Sequence, residues 1–341
     1  MSHPLRIPLA RRRADAPPWP SYTGTSQLVG TSPSGTVTVY VDPSLQDPGL
    51  RNAQDLLNDA DQVVAANNTI FGTLGGAVNV IVFALGGATD GTGGADHAAC
   101  DYTSGNAIEV CAAFGNSVRV SALFEAELSE CSMGGNLCGV STGEALSRWC
   151  ALVTSNNALA DFATAPEWAQ DGMPDFVNQT DPTDRNADST GCGMAFISWL
   201  LSKGSSLSQI AQGMVALGTN GTLADLYAKL TSDTPSNAWP KFFAAARALS
   251  NGVTSDDPFG GAPQPASPTK SVITTHEEAI AFKAARVQLQ QQAPPGAIWH
   301  TIIEPSPIDA VNFLNTLPGQ GAGEAFASNR ADGRVDLYFF L

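Results

Sequence analysis

Apolar residues recur along this chain with two different periods, and the switches between them mark out its elements. Val37-Thr-Val-Tyr-Val41 alternates strictly, which predicts a strand with one buried face. Over 50–66 the apolar positions Leu50, Ala53, Leu56, Leu57, Ala60, Val63 and Val64 fall every three or four residues, the spacing of a helix packed along one side. Val78-Asn-Val-Ile-Val-Phe-Ala-Leu85 is β-branched and nearly continuous, as a strand covered on both faces should be. A glycine-rich loop over 86–94 and a short strand, Ala107-Ile-Glu-Val-Cys111, come next. Helical stripes then run over 117–133 (Val118, Ala122, Leu123, Ala126, Leu128), with Ser117 placed to cap them. Gly134-Gly135-Asn136 stops that helix, and Gly143 precedes another. Further helices are predicted over 194–203, 206–217, 223–230 and 238–249.

These elements divide the chain. Residues 1–33, rich in Pro, Ser and Arg, read as a flexible arm, and 34–250 as one α+β domain with a small sheet. The Gly/Pro/Ser-rich stretch 251–270 reads as a semi-extended linker. A small α/β module over 271–341 follows: helix (276–292), strand (297–303), helix (306–316) and two strands. Arg330-Ala-Asp-Gly-Arg carries the Asp-Gly signal of a hairpin turn. The apolar end, Val335-Asp-Leu-Tyr-Phe-Phe-Leu341, must be paired or stand as an adhesive edge.

Charge narrows the partners. Acidic residues outnumber basic ones 32 to 17, a net charge of −15. Nucleic acids and anionic lipids both need basic patches, so neither is expected to bind. No apolar run is long enough to span a bilayer. The cluster Arg11-Arg12-Arg13 is not followed by the apolar segment of a secretory signal, so a cytoplasmic location is the default expectation. The six cysteines (100, 111, 131, 138, 150, 192) leave export by another route open. If they bridge, Cys100 with Cys111 and Cys138 with Cys192 are the pairs expected.

The chemistry concentrates in Phe124-Glu-Ala-Glu-Leu-Ser-Glu-Cys131 and Gly143-Glu-Ala-Leu-Ser-Arg148. A zinc-peptidase helix carries H-E-x-x-H, two imidazoles one turn apart beside a water-activating glutamate. Ala126, Glu127, Leu128, Ser129 and Glu130 resemble that motif with both histidines replaced. Over about 36–200 the chain is similar to zincin-like proteins, and Val177-Asn-Gln-Thr with Thr190-Gly-Cys-Gly-Met-Ala-Phe-Ile-Ser-Trp-Leu200 looks like an uncharacterised bacterial group of them. The resemblance implies a zincin-like fold, Glu127 at the base position, Glu130 at the second ligand position and Glu144 at the third, with Ala126 vacating the first. His97, in the glycine-rich loop, is a weaker candidate for the lost ligand.

Three carboxylates suit calcium, magnesium or manganese better than zinc. No cofactor is therefore expected, with calcium or zinc as the alternative occupant. The plain reading of the same glutamates is a solvated helix face, with Glu144 paired to Arg148 one turn on.

Other matches have plainer explanations. Gly139-Val-Ser-Thr-Gly143 fits G-x-S-x-G, but a turn rather than a strand precedes Ser141. Asp184-x-Asn186-x-Asp188 imitates the start of a calcium loop, with Ala195 where the bidentate glutamate belongs. Asp90, Asp96, His97 and Asp101 form a second oxygen-rich group. The expectation is a non-catalytic metallopeptidase-like protein acting in binding or assembly, through the arm, the C-terminal module and its last strand. A metal-dependent hydrolase with a carboxylate-rich site is the alternative.

Overall fold

The computed structural model describes residues 16–103, 106–262 and three strands beyond them. The chain divides into two compact units, Met1–Gln264 and Pro265–Leu341. The first is an α+β unit. Its mixed five-stranded sheet contains β1 (Gln27–Thr31), β2 (Val37–Val41), β3 (Val78–Phe83), β4 (Ala95–His97) and β5 (Ala107–Cys111) in the order β1-β2-β3-β5-β4. The central strands run parallel, with Val39 opposite Val80 and Val80 opposite Ile108. Both edges are antiparallel, and β4 sets His97 opposite Ile108.

Eight α-helices are described: α1 (Gln46–Phe71), α2 (Ser117–Ser132), α3 (Ser141–Thr154), α4 (Ala165–Gln170), α5 (Ala187–Ser202), α6 (Leu207–Leu217), α7 (Leu223–Thr231) and α8 (Ala238–Arg247). Their local signals are ordinary. Asn116, not Ser117, caps α2 by accepting from the Arg119 N–H, and Ser206 with Gln209 and Thr222 with Asp225 form capping boxes.

One core joins the sheet to α1 and α2 through Leu56, Val80, Ile108, Phe124 and Leu128. A second lies among α3 to α8, around Trp149, Trp168, Phe196 and Phe242. Thus α2 and α3 stand between a β-rich and a helical half. α5 packs closely on its neighbours because Gly191 and Gly193 have no side chain: a Cβ on Gly193 would lie 2.7 Å from the Ala145 Cβ of α3, and one on Gly191 2.3 Å from the Thr164 carbonyl oxygen at the head of α4.

Three expectations need correction. The supposed arm is in part structural, since β1 falls within it and residues just before cover the outer face of the sheet. Trp19 packs on Tyr40, and Tyr22 on Phe83. The cause is Glu109, a buried carboxylate on β5 that needs donors. The Ser21 N–H (3.0 Å), the Ser21 hydroxyl (2.6 Å) and the Tyr22 N–H (2.7 Å) supply them.

The supposed linker is likewise bound down as far as Ala262. Asp256 is buried and accepts from the Thr164 and Ala165 N–H groups at the head of α4 (2.9 and 2.8 Å), while Asp257 accepts from Ser198, Gly261 and Ala262. In the second unit, β6 (Trp299–Glu304), β7 (Ala325–Asn329) and β8 (Val335–Phe340) form an antiparallel sheet of order β6-β8-β7. The terminal strand is therefore central, with both edges paired, and is no free edge for a partner. The helices expected at 276–292 and 306–316 lie outside the described residues.

α2 also carries a buried acid toward α1. Glu125 is fully buried, held by the Asn67 side-chain N–H (3.3 Å) beside Ser129, and burial pushes its pKa up to about 8 against those hydrogen bonds. The unfolded chain ionises this group near pH 4.5, whereas the native state keeps its proton until about 8. Its contribution to stability is therefore full below the unfolded value and lost as pH rises through the folded one. We expect Glu125→Gln to remove a fall in stability on the order of a few kcal/mol across that window, read from urea melts at several pH values. Gly191→Ala should cost about 1–3 kcal/mol through overpacking against backbone, read as a lowered denaturation midpoint.

Candidate functional site

The cleft-facing side of α2 carries Glu127 and Glu130, three apart and so on one helical face. Glu144 and Arg148 come from the first turns of α3, and His97 from the edge strand β4. Together with Asp96 and Asp184 they line a cleft of about 400 Å³ whose apolar wall is Leu123, Ala126, Leu159 and Phe162. The site residues expected from the sequence do meet, and His97 lies at the centre of them. Its Nδ1 is 2.6 Å from Glu127 Oε2, and its Nε2 is 3.8 Å from Glu130 Oε2.

The solvated-face reading fails on burial. The side chains of Glu127 and Glu130 keep only 14% and 11% of their exposure, because β4 and α3 close over them. Nor does Glu144 pair with Arg148 at contact distance. Arg148 turns instead to Asp256 (3.6 Å) and the Thr164 hydroxyl (3.5 Å).

Burial sets the protonation states. It pushes Glu130 up to about 9, with the negative charges of Glu127 and Glu144 adding to the effect. Glu144 rises to about 7, burial outweighing the Arg148 charge. Glu127 is also raised by burial, against the His97 hydrogen bond and charge. For His97 burial works downward, but the hydrogen bond and charge of Glu127, helped by Asp96 and Asp184, win and raise its pKa. When Glu127 is ionised it can only accept from this ring, and Nδ1 then carries the hydrogen in both the neutral and the charged imidazole.

The donor set does not fit a zinc ion held by helix histidines. Ala126 presents a methyl group where an imidazole would be, and the remaining helix donors are carboxylates. One imidazole does enter, from a strand: the donor atoms of His97, Glu127 and Glu130 lie within 4.8 Å of one another.

A disulfide borders the cleft. It joins Cys100 to Cys138, correcting both expected pairings, since Cys111 and Cys192 are buried free thiols. Cys138 sits in the glycine turn between α2 and α3, which brings it beside the residues after β4. Its Sγ is 3.6 Å from His97 Nε2. The spacing His97-x-x-Cys100 was a usable signal that reading helix motifs alone passes over.

The other matches resolve into structural roles. Ser141 is buried at the first turn of α3. Asn186 caps α5 by accepting from the Asp188 N–H, so the calcium-loop imitation is a helix start. Asp90 and Asp101 accept from N–H groups two residues on, in turns, and only Asp96 and His97 of that group reach the cleft.

Fold and site together define an α+β protein with an acidic, histidine-centred cleft. No family model and no curated protein matches the chain. Among solved structures it is distantly similar to yeast LTA4 hydrolase in complex with bestatin, at 11% identity and a TM-score of 0.34. That likeness covers 67% of this chain and 38% of the other, so the chain spans well under two thirds of that protein. Within the described residues no helix is long and apolar enough to cross a membrane.

The histidine–glutamate contact makes a direct prediction. Glu127→Gln removes the charge that lifts His97 and leaves the burial that lowers it, so the imidazole should titrate at lower pH than in the wild type. The ring C–H resonances followed by NMR against pH report this, and an unchanged midpoint would contradict the assignment.

Proposed function

We propose that this is a non-catalytic metallopeptidase-like protein, acting by binding or assembly. The single observation that carries the reading is the 2.6 Å contact between His97 Nδ1 and Glu127 Oε2. Glu127 stands where a peptidase helix places its water-activating base, and the oxygen that would take a proton from water already accepts one from the imidazole. Ala126 supports the same conclusion by removing the first helix ligand. The resemblance of Ala126–Glu130 and the segment from Gly143 to Arg148 to zincin motifs supports the metallopeptidase-like part of the reading.

The binding surface on this reading is the acidic cleft, not the arm or the last strand. Five carboxyl groups face it against His97 and Arg148, and burial keeps Glu130 protonated up to about pH 9, so the complementary ligand is a hydrogen-bond donor such as a basic side chain of a partner.

A second reading, a hydrolase with a carboxylate-rich metal site, is favoured by the convergence of His97, Glu127 and Glu130. Its roles are those of the sequence: Glu127 as base, and Glu130, Glu144 and His97 around a cation.

Turnover separates the two readings better than metal content. The purified full-length chain should leave casein uncut with zinc, calcium or manganese added, under oxidising and reducing conditions alike. Chelator-sensitive cleavage that disappears in Glu127→Gln would establish the hydrolase instead.

A further inference from the structure

We propose that reduction of the Cys100–Cys138 disulfide opens a zinc site formed by His97, Cys100, Cys138 and Glu130. The inference goes beyond the reading of the cleft as a binding surface and does not depend on it.

The geometry comes first. The donor atoms of His97, Cys100 and Cys138 lie within 4.8 Å of one another. Cys138 Sγ is 3.6 Å from His97 Nε2, and Glu130 Oε2 is 3.8 Å from that same nitrogen. A tetrahedral zinc centre with ordinary Zn–N and Zn–S bonds sets its nitrogen and sulfur about 3.6 Å apart. Two thiolates, one imidazole and one carboxylate also make a donor set of the borderline-soft kind that zinc favours over calcium or magnesium.

A second observation points the same way. The other ring nitrogen, Nδ1, is held by Glu127 at 2.6 Å. Metal-binding histidines are commonly oriented in this manner, with one N–H given to a carboxylate so that the opposite nitrogen offers its lone pair. Here that opposite nitrogen faces the sulfur. Glu127, without water to activate, then acts as a positioning residue.

The backbone permits the change. The Cys100 and Cys138 Cα atoms are 5.8 Å apart, so the freed thiols can separate by side-chain rotation. Cys138 lies in a turn whose Gly134, Gly135 and Gly139 all have positive φ, a conformational freedom a metal-adapted turn can use. The other four cysteines are buried in the cores, and burial pushes the thiols of Cys131, Cys150 and Cys192 up, so they stay protonated and apart from this chemistry.

The chemistry balances with an external dithiol as reductant. Its two sulfurs supply two electrons and two protons; the Cys100–Cys138 bond breaks to two thiols, and the dithiol leaves as its own disulfide. On metal binding both thiol protons pass to solvent, together with any proton held on Nε2 or Glu130. While the bridge is intact the sulfurs are bonded to each other and no thiolate exists. With four protein ligands the site would be closed, of the structural rather than the hydrolytic kind. The cleft would thus hold zinc only when its disulfide is open.

The test uses the full-length protein, oxidised and after treatment with a dithiol that is then removed, each titrated with zinc and separately with cobalt(II). Reduced protein should retain about one zinc per chain after gel filtration, oxidised protein none, and cobalt should give thiolate charge-transfer absorption. His97→Gln, which keeps both cysteines and the bridge, should lose the retained zinc, and Glu127→Ala should weaken binding roughly 10–100-fold. The proposal is overturned if reduced protein takes up no zinc or loses its fold, if oxidised protein binds equally, if cobalt binds without the thiolate band, or if His97→Gln binds as well as wild type.

Discussion

A hydrogen bond from the imidazole of His97 to the carboxylate of Glu127 ties the edge strand β4 to the middle of α2, and most of the cleft follows from it. Glu127, Glu130 and Glu144 converge where water is largely excluded, and like charges in such a place cannot all be ionised. One imidazole on the opposite wall supplies the positive partner. The protons are therefore shared unevenly: His97 holds its own more tightly than usual, while Glu130 retains one up to about pH 9. The contact orients the ring, occupies the candidate base and leaves Nε2 turned toward Glu130 and Cys138.

The same constraint recurs across the molecule. This is an acidic chain that buries several of its acids, and Glu109, Glu125 and Asp256 take donors brought from far along the sequence. Glu109 takes the Ser21 and Tyr22 N–H groups, which fold the segment before β1 onto the sheet. Asp256 takes the Thr164 and Ala165 N–H groups and the Arg148 guanidinium, which fastens the chain after α8. Glu125 has Asn67 and Ser129 and keeps its proton. Segments of arm-like or linker-like composition become ordered parts of the unit because a buried carboxylate left alone is costly.

α2 concentrates the problem. Its Glu125 side faces α1, its Glu127 and Glu130 side faces the cleft, and Phe124 and Leu128 face the sheet core. With so much of its circumference covered, the helix shows only a weak amphipathic pattern. The glutamates read as solvated in sequence because charged residues on a helix usually are, and only the closure of β4 and α3 over them reverses that expectation.

The sequence by itself determined the local elements. Strict alternation marked β2, the β-branched run marked β3, and three-to-four spacing marked α1 and α2, since these periods express backbone geometry that neighbouring residues share. Helices were also expected at α6 to α8 and over 194–203, although α5 already begins at Ala187. It also identified Glu127, Glu130 and Glu144 as one constellation and His97 as a lesser member. What only the tertiary structure decided is the pairing: His97 with Glu127, Cys100 with Cys138, Glu109 with Ser21 and Tyr22, and β8 between β6 and β7. Such contacts join positions up to 88 residues apart, and no periodicity along the chain records which distant donor a buried acid or sulfur will meet.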